Sequence, residues 1–389
     1  MTDRPPSIVI VHGHDLGRHM GPYGRGVSTP AVDRFARGAL TFDRAFSPAP
    51  QCSPSRASLI TGKYPTKSGM MGLAHLDWKL SDHRDPLPHL LRELGYATLL
   101  VGEQHEASRG ELLGYDRCIG TSWPQVAREV APAFARALDE RDAHRPFFAS
   151  VGFFEAHRPF DHPGYVDDDP ETVTLPPYLP DTPEVRADVA AFHGRVRGFD
   201  DGVAFPRAKG TLYDAGIETG LVIRWPGVTH PGTRADALVQ NLDLFPTLLR
   251  AAGGTPDAAV DGVDLTPLLR GETAKVRDHI FAQLHWHDAY VPMRAIRTDT
   301  HKLILDFSGR DALYLPADVE ASASGRALRA TAQGSPARVA LHDLVRDPLE
   351  TRNVAHDDAY REVVVDLRAR LLDWMRAAGD PLIGQEVTS

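Results

Sequence analysis

Cys52, Ser53, Pro54, Ser55 and Arg56 form the densest run of chemistry-bearing residues in the chain. A cysteine where a helix begins faces unpaired backbone N–H groups and the positive end of the helix dipole, which favour a deprotonated nucleophile and an anionic substrate. Arg56, one turn on, adds a fixed cation. The competing reading is a structural cysteine packed at a helix start. The second cysteine is Cys118; two thiols build no disulfide framework and suit a reducing compartment, so the cytoplasm is the expected location. His12 and His14 alternate behind an apolar run and would point to one side at a strand's carboxyl end, where sites form in open α/β sheets. Either a histidine-bound transition metal or two hydrogen-bonded core histidines fits that placement.

The elements that must position these groups alternate. Pro6 to Val11 is a buried strand, Thr29 and Pro30 open a helix through Phe35 that Gly38 closes, and Pro88 to Leu94 is a helix stopped by Gly95. Ala97 to Val101 and Phe147 to Phe154 are further strands, so a mostly parallel sheet covered on both faces is expected. Val185 to Phe199 and Leu242 to Ala252 are helices, with Val263 to Leu269 packed loosely behind the latter. From about His279 the texture changes: His279 to His285 and Met293 to Phe307, turning at Thr298 to Thr300, predict an antiparallel subdomain closed by a helix over Tyr360 to Ala377. Pro170 to Pro183 and Ala317 to Ala340 read as loops.

The chain has 389 residues, 42% hydrophobic and 24% charged, with a formal net charge of −9 and scattered basic residues. A nucleic-acid partner is not expected, nor a membrane one, since no apolar run approaches a spanning length. The first residues lack the ordered regions of a cleaved export signal. A small anion held by a few local cations remains compatible with this composition.

The segment Cys52 to Gly62 matches the signature of the sulfatases at cysteine, proline two on, arginine four on and the closing Thr61 and Gly62. On this motif the chain resembles that family, and the resemblance implies an alkaline-phosphatase-like α/β/α sandwich with a smaller C-terminal antiparallel α+β subdomain, here 1–275 and 276–389. It implies that a formylglycine-generating enzyme converts Cys52 to formylglycine, that Arg56 holds the hydrate of that aldehyde, and that Lys63 stands near the sulfate, where the alternative is a solvated surface lysine. His14 and Asp15, followed by Leu16 and Gly17, occupy the family's metal motif, so Asp15 looks like a ligand of a divalent cation, Ca2+ in the usual case, with His14 and residue 52 beside it. Histidine in place of an aspartate removes one hard oxygen donor and leaves the metal's identity open.

Other motifs extend the resemblance along the chain. Gly102 to His105 aligns with a family element in which a lysine has become Glu103, reversing a charge beside the expected sulfate; His105 alone is carried over. A carboxylate there repels an anion unless protonated or paired. His157 with Pro159 is the candidate sulfate contact or general base, against a surface-loop histidine. Lys209, opening the run to Gly216, corresponds to the lysine that touches the ester oxygen and assists its departure. Asp243, His342, Asp343 and Asp347 follow the pattern as structural residues.

The resemblance breaks near 200–206, where one helix and one strand of the family are missing. Asp200 and Asp201 are either the remaining metal ligands or the end of the preceding helix. A hydrolase of small-molecule or carbohydrate sulfate esters is the leading expectation. A phosphonate monoester or phosphodiester hydrolase of the same superfamily is the enzymatic alternative, and a degenerate homologue with part of its metal site gone is the non-catalytic one.

Overall fold

The computed structural model describes the chain except residues 1–4, 16, 25, 162, 200–209, 332–335, 386 and 388–389. Its N-terminal part is organised by a parallel four-stranded sheet in the order Ile8–His12, Phe147–Gly152, Ala97–Gly102 and Arg117–Ile119. Phe147–Gly152 has a neighbour on each side and is buried at every residue, which is why its sequence runs apolar without alternation. Gly102 closes its strand at φ +80, and a Cβ there would stand 2.2 Å from the carbonyl oxygen of Gly152, so only glycine lets the two strand ends meet this closely. The chain turns directly from that point into Glu103 and His105.

Helices cover the sheet because their apolar faces match it. Ala57 and Ile60 of the Cys52–Thr61 helix are buried with Leu87, Leu91, Leu100 and Phe148, which fixes the helix against the sheet face below the site. On the other face Ala127, Val130, Ala133 and Ala137 of the helix Ala127–Asp139 pack on Leu99, Ala149 and Val151. Among the described residues Ile8–His12 is paired on one side only, to Phe147–Gly152. Val9 and Val11 on this strand are 44% and 56% exposed, unusual for valines in a parallel sheet.

The C-terminal part is an antiparallel sheet in the order His279–Trp286, Tyr290–Thr298, His301–Asp306 and Val339–Asp343. One face packs Ile296, Leu303, Leu305 and Leu341 on Leu367, Leu371 and Met375 of the helix Arg361–Ala377. The opposite face packs Ile280, Leu284, Ala295 and Ile304 on Phe46, Leu212, Ile217 and Leu238, so the two parts share a core. Buried charges join them as well. Lys302, fully buried, contacts Asp214 at 2.5 Å and Glu350 at 2.8 Å, and Arg297 reaches Asp214 at 2.9 Å. No described helix is long and apolar enough to cross a membrane.

Two local expectations are corrected. Ala317 to Ala340, read as a loop, contains the helices Ala317–Glu320 and Ala323–Thr331 and the start of the strand Val339–Asp343. Ser324 donates to Asp188 at 2.6 Å and Ala327 packs against the cluster of Val185 and Val189, so this segment docks on the Pro183–Phe199 helix. Val263 to Leu269 does not pack loosely: Leu265, Leu268 and Leu269 are buried with Leu40, Phe42 and Val239, and Thr266–Leu269 is helical.

Candidate active site

The Cys52–Thr61 helix starts at the cysteine itself, with Gln51 as its extended N-cap. Its first turn is fastened on several sides. Ser55 accepts hydrogen bonds from Ser47 at 2.7 Å and from Asn241 at 2.9 Å, and Gln51 donates to the Trp286 carbonyl at 3.0 Å. Gly62 ends the helix at φ +67, its N–H returning to the Ser58 carbonyl. The cysteine therefore sits at a well-fastened helix N-terminus and lines, with His12, Gly13, His14, Asp15 and Arg56, a cavity of about 560 Å³.

Five of the expected residues converge here. Cys52 Sγ lies 3.0 Å from His105 Nδ1. The rings of His14 and His157 meet edge-on with centroids 5.4 Å apart, and His14 and His105 centroids are 6.3 Å apart. Asp15 stands 3.9 Å from His157 Nε2, and its φ of +55, a conformation aspartate tolerates better than most residues, turns the chain sharply after the strand. His157 Nδ1 is 2.5 Å from the Arg158 carbonyl, which fixes the ring's orientation.

Arg56 points from the helix onto the end of the first strand, 2.8 Å from His12 Nδ1 and 3.3 Å from the Gly13 carbonyl. His12 also reaches Ser150 through Nε2 at 2.8 Å, so both its ring nitrogens are engaged and its role is that of a hydrogen-bonded core histidine. Burial, and then the adjacent Arg56, hold its pKa well below the ordinary value. The reversed charge at Glu103 finds its explanation in the same corner. Its side chain is buried 3.8 Å from His14 Nε2, and burial pushes its carboxyl above the usual range, which disfavours the anionic form beside an anion site.

Lys63 is not brought to this group: its ammonium pairs with Asp85 at 2.6 Å. Lys209, Asp200 and Asp201 lie outside the described residues. Among the described residues no group of three or more His, Cys, Asp or Glu side chains is arranged to hold a metal ion. Asp15 supplies one hard carboxylate and His14 stands beside Glu103, so these donors alone do not make a calcium site. The reading of the sequence missed His75, whose Nδ1 is 2.8 Å from His105 Nε2, and the roles of Ser150 and Asn241. Nothing in their local sequence marks them, because each reaches the site from a distant part of the chain.

The Sulfatase family model matches residues 6–174, and the model for N-sulphoglucosamine sulphohydrolase, C-terminal, matches residues 207–319. The chain belongs to the sulfatase family. It is 28% identical over 426 residues to an ulvan-active sulfatase of Formosa agariphila, covering 97% of this chain and 81% of that protein. It is 28% identical over 466 residues to the human N-sulphoglucosamine sulphohydrolase, covering 98% and 92%. That alignment runs longer than this chain's 389 residues, so the human protein carries segments this chain does not have.

Solved structures share the fold at low identity. One, determined in complex with its substrate D-glucosamine-2-N,6-O-disulfate, superposes with a TM-score of 0.75 at 16% identity, covering 98% of this chain and all of that one. The phosphonate monoester hydrolase of Agrobacterium radiobacter superposes with a TM-score of 0.72 at 20% identity, covering 96% of each.

Proposed function

We propose that this protein hydrolyses a sulfate ester or N-sulfate carried by a carbohydrate, with residue 52 as the nucleophile after conversion of Cys52 to formylglycine. The observation that carries the proposal is the 3.0 Å contact between Cys52 Sγ and His105 Nδ1 at a helix N-terminus. In its hydrated form formylglycine would supply a hydroxyl oxygen that attacks sulfur as the bond from sulfur to the sugar oxygen or nitrogen breaks, and the sulfated hemiacetal would then expel sulfate and return to the aldehyde. His105 is placed to hold or take the proton at that position. The N-terminal end of the helix dipole favours an anion beside residue 52, and His157, edge-on to His14, is the proposed sulfate contact or base of the second step. Arg56, tied to His12 and Gly13, keeps positive charge under residue 52. Lys209 is proposed for the ester oxygen and, with Lys63, rests on the sequence motif. Asp15, with Asp200 and Asp201, is proposed to face a divalent cation, and no step is routed through that cation.

The carbohydrate class is supported by the disulfated glucosamine held by the structural neighbour and by the family model over residues 207–319. Steady-state rates on N- and O-sulfated glucosamine and on paired aryl sulfate and aryl phosphate esters test the proposal. Sulfate release that exceeds phosphate release is expected. Preference for phosphate or phosphonate esters would replace it with the hydrolase reading that the Agrobacterium neighbour suggests. Inert substrates together with no calcium binding by calorimetry at millimolar concentration would leave a non-catalytic homologue.

A further inference from the structure

His75 lies in the exposed 3-10 turn Ala74–Leu76 of a surface loop, away from every motif that the sequence marks, yet it contacts the histidine that contacts residue 52. Its Nδ1 is 2.8 Å from His105 Nε2, and the two ring planes differ by 7° with centroids 5.0 Å apart. That centroid separation is what the 2.8 Å contact plus two ring radii give, so the rings lie edge to edge in one plane, joined by an in-plane hydrogen bond. The loop is not placed there by chance of exposure. Ala74 N donates at 3.0 Å to the hydroxyl of Ser53, a fully buried residue next to Cys52, so the helix that carries the nucleophile also anchors His75.

We propose that His75 is a positioning residue that fixes which nitrogen of His105 carries the proton, and thereby presents His105 Nδ1 to residue 52 as an acceptor. An imidazole–imidazole hydrogen bond needs one donor and one acceptor. An exposed neutral histidine favours the tautomer with its proton on Nε2, which leaves Nδ1 of His75 as the acceptor. His105 then donates Nε2–H to His75 and keeps its Nδ1 lone pair facing the sulfur 3.0 Å away. The reverse arrangement would make His105 a donor toward residue 52 and unable to take its proton. Burial, with His105 and His287 nearby, holds the His75 pKa below its ordinary value, consistent with a neutral ring at neutral pH.

This inference deepens the proposed hydrolysis, but its test reads the unconverted protein and needs no turnover. In a Cys118→Ser background, imidazole 15N shifts of His105 are measured, together with the rate at which iodoacetamide alkylates Cys52 at one fixed pH. The wild type is expected to show His105 protonated on Nε2. His75→Phe keeps an aromatic ring and removes the acceptor; it is expected to shift His105 toward the other tautomer and slow alkylation about fivefold, the effect of losing one hydrogen bond of ordinary worth. His75→Asn, which returns an acceptor, is expected to restore most of the rate. Protonation of His105 on Nδ1 in the wild type would overturn the proposal even if a variant failed to fold. So would a His75→Phe protein with unchanged tautomer and rate. Failure of the hydrolytic reading would instead appear as absent turnover with these two signals intact.

Discussion

At residue 52 the chemistry rests on how little is needed to make a position nucleophilic: a helix N-terminus, one base within hydrogen-bond reach and a nearby cation. The structure sets His105 3.0 Å from Cys52 Sγ and ties Arg56 to His12 and Gly13, the geometry on which their proposed roles as base and cation rest. Two outcomes follow at this scale. Cys52→Ala is expected to abolish sulfate release while leaving the thermal unfolding midpoint close to wild type, since the side chain is only half-buried. His105→Ala is expected to lower kcat by about 10²–10⁴-fold, the usual worth of a general acid or base, with a smaller change in KM. Equal loss in KM and none in kcat would make His105 a binding residue only.

Among the elements, the first strand has the most unusual environment. A strand of a parallel sheet normally buries both faces, yet Val9 and Val11 are exposed on Ile8–His12. Missing a neighbouring helix and strand, as the sequence suggests near 200–206, is the kind of change that leaves valines in this condition. Val9→Thr with Val11→Thr is expected to reduce aggregation in light scattering while changing unfolding stability by less than about 0.5 kcal/mol, as for exposed sites. A loss well beyond that would mean the valines are covered in solution.

Much of this element-level picture was legible beforehand. Apolar runs of strand length marked the strands at Ala97 and Phe147, and Thr29–Pro30 with Gly38 marked a helix found at Pro30–Arg37. The Ala317 to Ala340 segment was not legible, because an Ala- and Ser-rich run shows its single buried face only once Asp188 and Val189 of another helix are beside it. In the site, Cys52 and Arg56 were visible through one contiguous motif and His105 through a second at Gly102 to His105, whereas His75 belongs to neither and meets His105 thirty residues away.

The whole molecule is held across its two parts by charges with little access to water. Lys302 is fully buried between Asp214 and Glu350. Burial opposes ionisation of Asp214, but Lys302 and Arg297 outweigh it and hold its pKa at about 2. Lys302→Met is expected to cost about 3–5 kcal/mol in chemical denaturation, because it strands buried carboxylates. Burial beside Asp214 pushes Glu350 from 4.5 up to about 7. The folded protein therefore keeps a proton there that the unfolded chain has released; this group's contribution is full below 4.5 and lost as pH rises through about 7. Across that window the unfolding midpoint of Glu350→Gln should change with pH in a more positive direction than that of the wild type, by the loss of this one group. Identical slopes would mean Glu350 does not carry the dependence.

The central claim, that residue 52 is the nucleophile of a sulfatase, meets its most direct test in the mass of the Cys52 peptide. The protein is coexpressed with a formylglycine-generating enzyme, digested and measured. The expected result is the thiol-to-aldehyde mass loss on the peptide spanning Cys52 to Arg56, in protein that also releases sulfate. An unmodified thiol at Cys52 in protein that releases sulfate would contradict the account, because the hydrolysis would then proceed without the nucleophile on which it rests.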